Sequence, residues 1–420
     1  MKQMKQRLGI FLLVITAIIP LPIRTLAAEN DFSSPASASF AVDYDTGKVF
    51  YTQNADEPLG IASMTKLITA YIVFDEIEKG TISWEDKVPV SEKLKKMSKD
   101  PDLSNIPIKD KHDYTVRDAL EASLISSANS LTSALAELIS GSEIKFVDRM
   151  YKQLDDWNIK DGYLVTASGL GNEDMGKEIY PGSKKTDENL LSARSMAIVA
   201  REIITDFPEV LEISSSQSKT LSDGTTIWNS NEMLPDFYYY TEGVDGLKTG
   251  TTPLAGACFV GTAKRGDQRI ITVVMDVDPE YSRFQETANL MNYVYDNWSY
   301  KTVLKKGDPS SQSTININKG KKDKVSIVLT EDLSVWTKND NQNIKIFFEP
   351  NKKQLTKKKE VNAPKKKGYV VGSEHVYNTT DTLGYLTKEE EIHDVSKVAL
   401  KTDIERANFF IQIWQSITKR

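Results

Sequence analysis

A single cysteine, Cys258, stands in a chain of 420 residues that begins like an exported protein. Lys2, Lys5 and Arg7 precede the apolar run Leu8–Ile19, and small residues follow at Ala27-Ala28. A basic start, an apolar centre and a small-residue end predict a secretory signal peptide over 1–28, cleaved after Ala28. Pro20 and Pro22 interrupt the apolar run before it reaches a comfortable bilayer span. An uncleaved anchor is the alternative, and in both cases the remaining chain works outside the cytoplasm. One thiol forms no disulfide within the chain, so the fold has to rest on its hydrophobic core. At this length two or three domains are expected.

Composition narrows the function classes. Hydrophobic residues make up 40% and charged residues 27%, a soluble globular balance. Net charge is −6, and removing residues 1–28 takes away four cations and no acid. Nucleic-acid binding therefore has no electrostatic support. His112, His375 and His393 are scattered, which argues against a histidine-based triad or a histidine-rich metal site. An enzyme built on this chain needs another base, and no metal or cofactor is expected.

Three regions follow one another. Residues 38–53 alternate around Asp45-Thr-Gly47 and predict a β-hairpin. The periodicity of 64–79 predicts a helix, and 115–140 two helices broken near Ser126–Ser130, the first opened by a capping box at Thr115 and Asp118. A helix over 192–204, strands over 254–263 and 269–277, and a helix over 282–298 follow. Strands at both ends of a helical middle predict a mixed sheet. From about 305 to 391 short apolar runs (315–317, 325–329, 344–348, 369–371) predict a small β-rich domain. Lysine clusters at 357–359 and 365–367 are read as solvated turns, with an anionic wall or membrane surface as the alternative. Residues 392–420 are read as an amphipathic helix: Leu400, Ile404, Ala407, Phe410, Ile411, Trp414 and Ile417 share one side. Its aromatic face and terminal Lys419-Arg420 favour the membrane interface over packing on the β-rich domain.

Three small motifs carry the chemistry. In Ser63-Met-Thr-Lys66 the hydroxyl and the amine sit at i and i+3 of a predicted helix start and can meet. Serine needs a base to become a nucleophile, and burial plus a second cation can lower a lysine enough to serve. The spacing alone is weak, since it recurs at Ser142–Lys145, Ser216–Lys219 and Ser416–Lys419. Ser127-Ala-Asn129 reads equally as a helix N-cap. Lys248-Thr-Gly250 enters a strand, where glycine permits close approach of another backbone or a substrate, and where a lysine can also be an ordinary edge residue.

Taken in order, the motifs resemble the penicillin-recognising serine enzymes. With Ala167-Ser-Gly-Leu170, Asp245-Gly-Leu-Lys-Thr-Gly-Thr251 and Ala255-Gly-Ala-Cys-Phe259, the chain more closely resembles the low-molecular-mass penicillin-binding proteins, serine-type D-alanyl-D-alanine carboxypeptidases. The resemblance implies an α/β transpeptidase-like domain over 29–304, with an antiparallel sheet, flanking helices and a helical subdomain. The β-rich domain over 305–391 and the terminal helix then follow. It implies that Ser63 forms an acyl-enzyme, Lys66 is its base and Ser127 relays a proton to the leaving nitrogen. It further implies that Asn129 holds the substrate backbone, Lys248 and Thr249 bind the terminal carboxylate beside Gly250, and backbone N–H groups of Ser63 and Thr251 form the oxyanion hole. The implied partners are peptidoglycan stem peptides ending in D-alanyl-D-alanine, β-lactams, and the outer face of the bacterial cytoplasmic membrane.

Two departures keep other readings open. Class A β-lactamases carry Ser-Asp-Asn and a glutamate that activates water. This chain has Ser-Ala-Asn, with Glu173 and Glu178 near Ser168-Gly-Leu170. A catalytically idle penicillin-fold binding module is the third reading, although all four catalytic side chains are present.

Overall fold

The computed structural model describes residues 32–418, apart from 177, 339–342 and 388–393. The expected signal peptide lies outside the described residues.

Alternation around Thr46-Gly47 produces the expected hairpin, Ala38–Asp43 with Val49–Gln53. Ala38–Asp43 also pairs with Gln268–Val277, and Gly256–Arg265 and Val244–Thr252 extend that side. Every pair in this five-stranded sheet is antiparallel, which corrects the mixed sheet read from the pattern. For three of the four pairs the reason is a short link between consecutive strands. A tight turn with Gly266 at φ 58° joins Gly256–Arg265 to Gln268–Val277, and a short link cannot carry a parallel crossover.

Helices Ala193–Asp206 and Ser282–Asn297 pack on this sheet. Thr115 and Asp118 close the predicted capping box at the start of Val116–Ile125, and Asn129–Ser140 follows after a break at 126–128. Lys66–Glu78 runs through the core against Val116–Ile125, Asn129–Ser140 and Ala193–Asp206, with Leu67, Ile68, Ala70 and Val73 fully buried.

The β-rich domain begins earlier than residue 305. Helix Ser282–Asn297 passes directly into Trp298–Leu304, which pairs with Leu333–Lys338. A six-stranded sheet follows, containing Pro309–Asn318, Lys324–Leu329, Ile344–Pro350 and Val370–Asn378 as the apolar runs predict. Lys357, Lys358 and Lys359 are exposed in turns. The domain meets the first hairpin through buried Lys48, which pairs with Asp381 at 2.6 Å, and through Trp336, whose Nε1 donates to Thr46 Oγ1 at 3.0 Å.

The amphipathic helix over 392–420 is corrected. Val395–Leu400 is a strand between Lys324–Leu329 and Val370–Asn378. Leu400 and Ile404 belong to the core of the β-rich domain, and buried Ala407 donates its N–H to Lys319 O at 2.9 Å. The helix is Phe409–Thr418, opened by Asn408, whose side chain accepts from Ile411 N. Its Phe409, Phe410 and Trp414 are 71%, 79% and 69% exposed.

Candidate active site

Ser63 sits in a turn that two glycine-permitted contacts and one backbone hydrogen bond hold in place. A 3-10 turn, Ala62–Thr65, leads into helix Lys66–Glu78, which puts Ser63 and Lys66 one turn apart. Ala62 adopts the left-handed region at φ 44°, a strained position for a residue with a Cβ. Ile61 N donates to Asn189 O at 3.0 Å behind it. A Cβ on Gly250 would lie 2.7 Å from Ile61 O, and one on Gly169 would lie 1.9 Å from Ala62 O. The Gly250 strand and the Ser168-Gly-Leu170 loop therefore clamp the nucleophile turn at backbone distance. Close approach, rather than flexibility, is what the glycine of Lys-Thr-Gly provides.

Lys66 is fully buried and touches three oxygens: Ser63 Oγ at 2.8 Å, Asn129 Oδ1 at 2.6 Å and Ser168 O at 2.7 Å. Burial first, and the like charge of Lys248 second, hold this amine well below the ordinary lysine value, while Glu143 opposes them. A neutral amine has two N–H donors and one lone pair. Asn129 Oδ1 and Ser168 O can only accept, so they take both hydrogens. The lone pair is left to the Ser63 hydroxyl, which is the arrangement of a base facing its nucleophile.

Ser127 lies in the break between two helices at φ 60°. It is 6% exposed and its Oγ has no hydrogen-bond partner, so it caps no helix. Ser104 O and Asn105 Oδ1 accept from Asn129 N and Ser130 N and fix this loop. Lys248 is 1% exposed on Val244–Thr252, which rules out a solvent-facing edge lysine. Burial and the nearby Arg283 push it down to about 7. Thr249 Oγ1 shares a hydrogen bond with Ser230 Oγ at 2.9 Å.

Two cavities meet at Ser63. One, of about 420 Å³, is lined by Ser127, Ser230, Thr249, Gly250, Thr251 and Arg283. The other, of about 590 Å³, is lined by Asn129, Gly171, Asp174, Glu188 and Thr252. Arg283 was not legible in the sequence. Its guanidinium donates to Gly250 O and Thr251 Oγ1, both at 2.8 Å, and pairs with Glu280. Asn189, which holds Val165 N, Thr166 N and Thr65 Oγ1, was equally silent. The structure brings Ser63, Lys66, Ser127, Asn129, Lys248, Thr249, Gly250 and Thr251 into one site.

Two of the three competing serine–lysine pairs have other work, and Lys419 of the third lies outside the described residues. Ser142 caps Glu143–Asp156, and Ser216 Oγ donates to Glu212 O while Lys219 pairs with Glu121. Glu178 pairs with Lys93 at the surface, and Glu173 lies on the wall of the larger cavity. Among the described residues no group of three or more His, Cys, Asp and Glu side chains could hold a metal ion. Burial pushes the Cys258 thiol up to about 11.

Comparison with known proteins agrees with this geometry. Residues 25–279 match the family model described as D-alanyl-D-alanine carboxypeptidase, and residues 298–406 that of the penicillin-binding protein 5 C-terminal domain. D-alanyl-D-alanine carboxypeptidase DacF of Bacillus subtilis strain 168 is 28% identical over 90% of this chain and 88% of its own. The crystal structure of a peptidoglycan synthesis regulatory factor (PBP3) from Streptococcus pneumoniae is 39% identical, covers 89% of this chain and 100% of its own, and superposes with a TM-score of 0.73. Penicillin binding protein 5 from Haemophilus influenzae is 26% identical, covers 89% and 99%, and superposes at 0.66. A serine and a buried lysine at bonding distance, clamped by the Lys-Thr-Gly strand inside the matched region, place this chain in the D-alanyl-D-alanine carboxypeptidase family of low-molecular-mass penicillin-binding proteins.

Proposed function

We propose that Ser63 removes the terminal D-alanine from peptidoglycan stem pentapeptides through an acyl-enzyme, and that penicillins acylate the same serine. The observation that carries this reading is the hydrogen-bond inventory of Lys66, which leaves its lone pair to Ser63 Oγ. Lys66 takes the Ser63 proton as Oγ attacks the carbonyl of the penultimate D-alanine. Backbone N–H groups of Ser63 and Thr251 hold the developing oxyanion, a contribution of roughly 3 kcal/mol per donor. Unpartnered Ser127 passes a proton to the departing nitrogen. Thr249 and Arg283 line the smaller cavity and receive the terminal carboxylate there, with the charge of Lys248 buried beside Thr249. The anion raises Lys248 again, and the restored charge keeps Lys66 neutral. Asn129 holds the substrate backbone, and water then releases the acyl group from Ser63.

In this reading residues 1–28 export the chain and a catalytic domain runs from 29 to 297. A β-rich domain from 298 to about 407 carries the last helix. The enzyme is extracytoplasmic and peripheral on the outer face of the cytoplasmic membrane. The exposed Phe409, Phe410 and Trp414 support that placement. Among the described residues no helix is long and apolar enough to cross a membrane. The test is D-alanine release from a peptide ending in D-alanyl-D-alanine by wild type beside Ser63→Ala. Release by wild type and none by the variant is the expected result. Equal release by both would overturn it.

A further inference from the structure

The two domains differ in sign. Residues 29–297 hold twenty-six Lys and Arg against forty-four Asp and Glu, a net −18. Residues 298–407 hold twenty-one against fifteen, a net +6, and all but Arg406 of those cations are lysines. Part of this charge is neutralised within the β-rich domain: Lys321 pairs with Glu405, and Lys366 with Asp403 at 2.9 Å. Lys324, Lys358 and Lys359 pair with no acid among the described residues, and all three line one cavity of about 540 Å³.

Two elements bring these lysines together. Asn316 stands opposite Lys324 in the antiparallel pair of Pro309–Asn318 with Lys324–Leu329, and Thr314 lies two residues before it on the same face. Lys358 and Lys359 come from a tight turn, where Thr356 N donates to Glu360 O at 2.9 Å and Lys359 N to Thr356 O at 2.8 Å. Lys359 adopts the left-handed region at φ 58°, a strained conformation for a residue with a Cβ. Three like charges around one cavity repel one another, and a bound anion relieves that repulsion. The wall of the cavity says which anion. Lysine meets phosphate as a point charge, whereas planar carboxylates suit the arginine fork, and Arg406 does not line the cavity. Thr314 and Asn316 offer a hydroxyl and an amide, groups that both donate and accept and so suit a ligand's hydroxyls. Phe348 and Pro350 give its carbon chain an apolar side.

We propose that this cavity binds a phosphodiester-linked polyol, the chemistry shared by an anionic envelope polymer and the headgroup of a glycerophospholipid. The inference goes beyond the carboxypeptidase reading and does not depend on it. A polyanion held here attracts the β-rich domain and repels the catalytic domain, so it orients the enzyme as well as retaining it.

The experiment measures, on the full chain at low salt, the affinity for a fluorescent oligomer of glycerol phosphate. Lys324→Glu with Lys358→Glu, both at exposed positions, should weaken binding about tenfold or more, the scale of one charge-assisted hydrogen bond. Lys359 is left in place because of its left-handed backbone. Lys305→Glu with Lys306→Glu changes the net charge equally, at exposed positions outside the cavity, and should weaken binding by at most about threefold. Poly-L-glutamate of matched charge should displace the oligomer at least about tenfold less well than unlabelled oligomer does. Labelling by a fluorescent penicillin and thermal unfolding report that each variant is folded. Vesicles of phosphatidylglycerol separate the two sources. Retention weakened in the cavity variant assigns the lipid headgroup, and unchanged retention beside lost oligomer binding assigns the soluble polymer. No binding by wild type, an equal loss in the Lys305 and Lys306 variant, or equal displacement by poly-L-glutamate overturns the cavity as a phosphodiester site and leaves the carboxypeptidase reading intact.

Discussion

Lys66→Arg separates a base from a structural cation. Lys66 is fully buried, and burial with the Lys248 charge holds it well below the ordinary lysine value, so neutral amine is available at neutral pH. A guanidinium with a pKa of about 12.5–13.8 is neutral in roughly one molecule in 10⁵ or fewer at pH 7. If acylation needs the neutral nitrogen, its rate should fall by about 10⁴ or more, roughly 5.5 kcal/mol on the barrier. Arginine is also larger in a site with no exposure. Lys66→Met therefore serves as the second variant, similar in length and without charge. It leaves Asn129 Oδ1 and Ser168 O without their donor, at about 1–3 kcal/mol each, partly offset because no amine has to be desolvated. Its loss of acylation should reach about 10²–10⁴, the range for a missing general base. The assay is the second-order rate of labelling by a fluorescent penicillin, with thermal unfolding recorded alongside. Either variant, folded and acylating within tenfold of wild type, refutes Lys66 as the base.

Acylation should rise with pH through the lowered value of Lys66, because only its neutral form accepts the proton; Lys248→Ala removes a like charge and should move that rise to higher pH. A shift to lower pH, or none, contradicts the coupling. Wild type should cleave a C-terminally amidated peptide about 10²-fold less well than the free acid, and Lys248→Ala should narrow that gap, measured as kcat/KM. Deleting residues 409–420 should release the enzyme from membranes at low salt, keep activity on a soluble peptide, and leave Tm within about 2 °C, since the aromatic residues removed are exposed. A truncated protein that unfolds, or that still sediments with membranes, counts against the anchor.

The readable parts of the chain were those where the cause is local. Thr115 and Asp118 form their capping box with neighbours three residues away, and the hairpin follows from alternation around one turn. The last helix was overextended for an equally physical reason. Leu400, Ile404 and Ala407 are spaced as on one helical face. Yet Leu400 ends a strand, Ile404 pairs with Lys365 across a bridge, and Ala407 bonds to Lys319. Burial sets such spacing in an extended, turning segment as readily as in a helix. The motifs placed the nucleophile, its base and the Lys-Thr-Gly strand. Arg283 and Asn189 went unseen because their partners lie far along the chain, 33 residues for Gly250 O and 124 for Thr65 Oγ1, and no short pattern encodes them.

The order of the five-stranded sheet has a consequence in time. Its first strand, Ala38–Asp43, has Val49–Gln53 on one edge and must wait on the other for Gln268–Val277. Gly250, which clamps the nucleophile turn, lies on Val244–Thr252, and that strand joins the sheet through Gly256–Arg265. A chain that emerges from its N-terminus thus exposes an apolar hairpin edge until more than two hundred further residues have followed. Such long-range closure is intrinsically slow and invites edge-to-edge association. The active site is accordingly among the last features to form, and an enzyme interrupted during export would hold Ser63 and Lys66 on a helix with nothing to aim them.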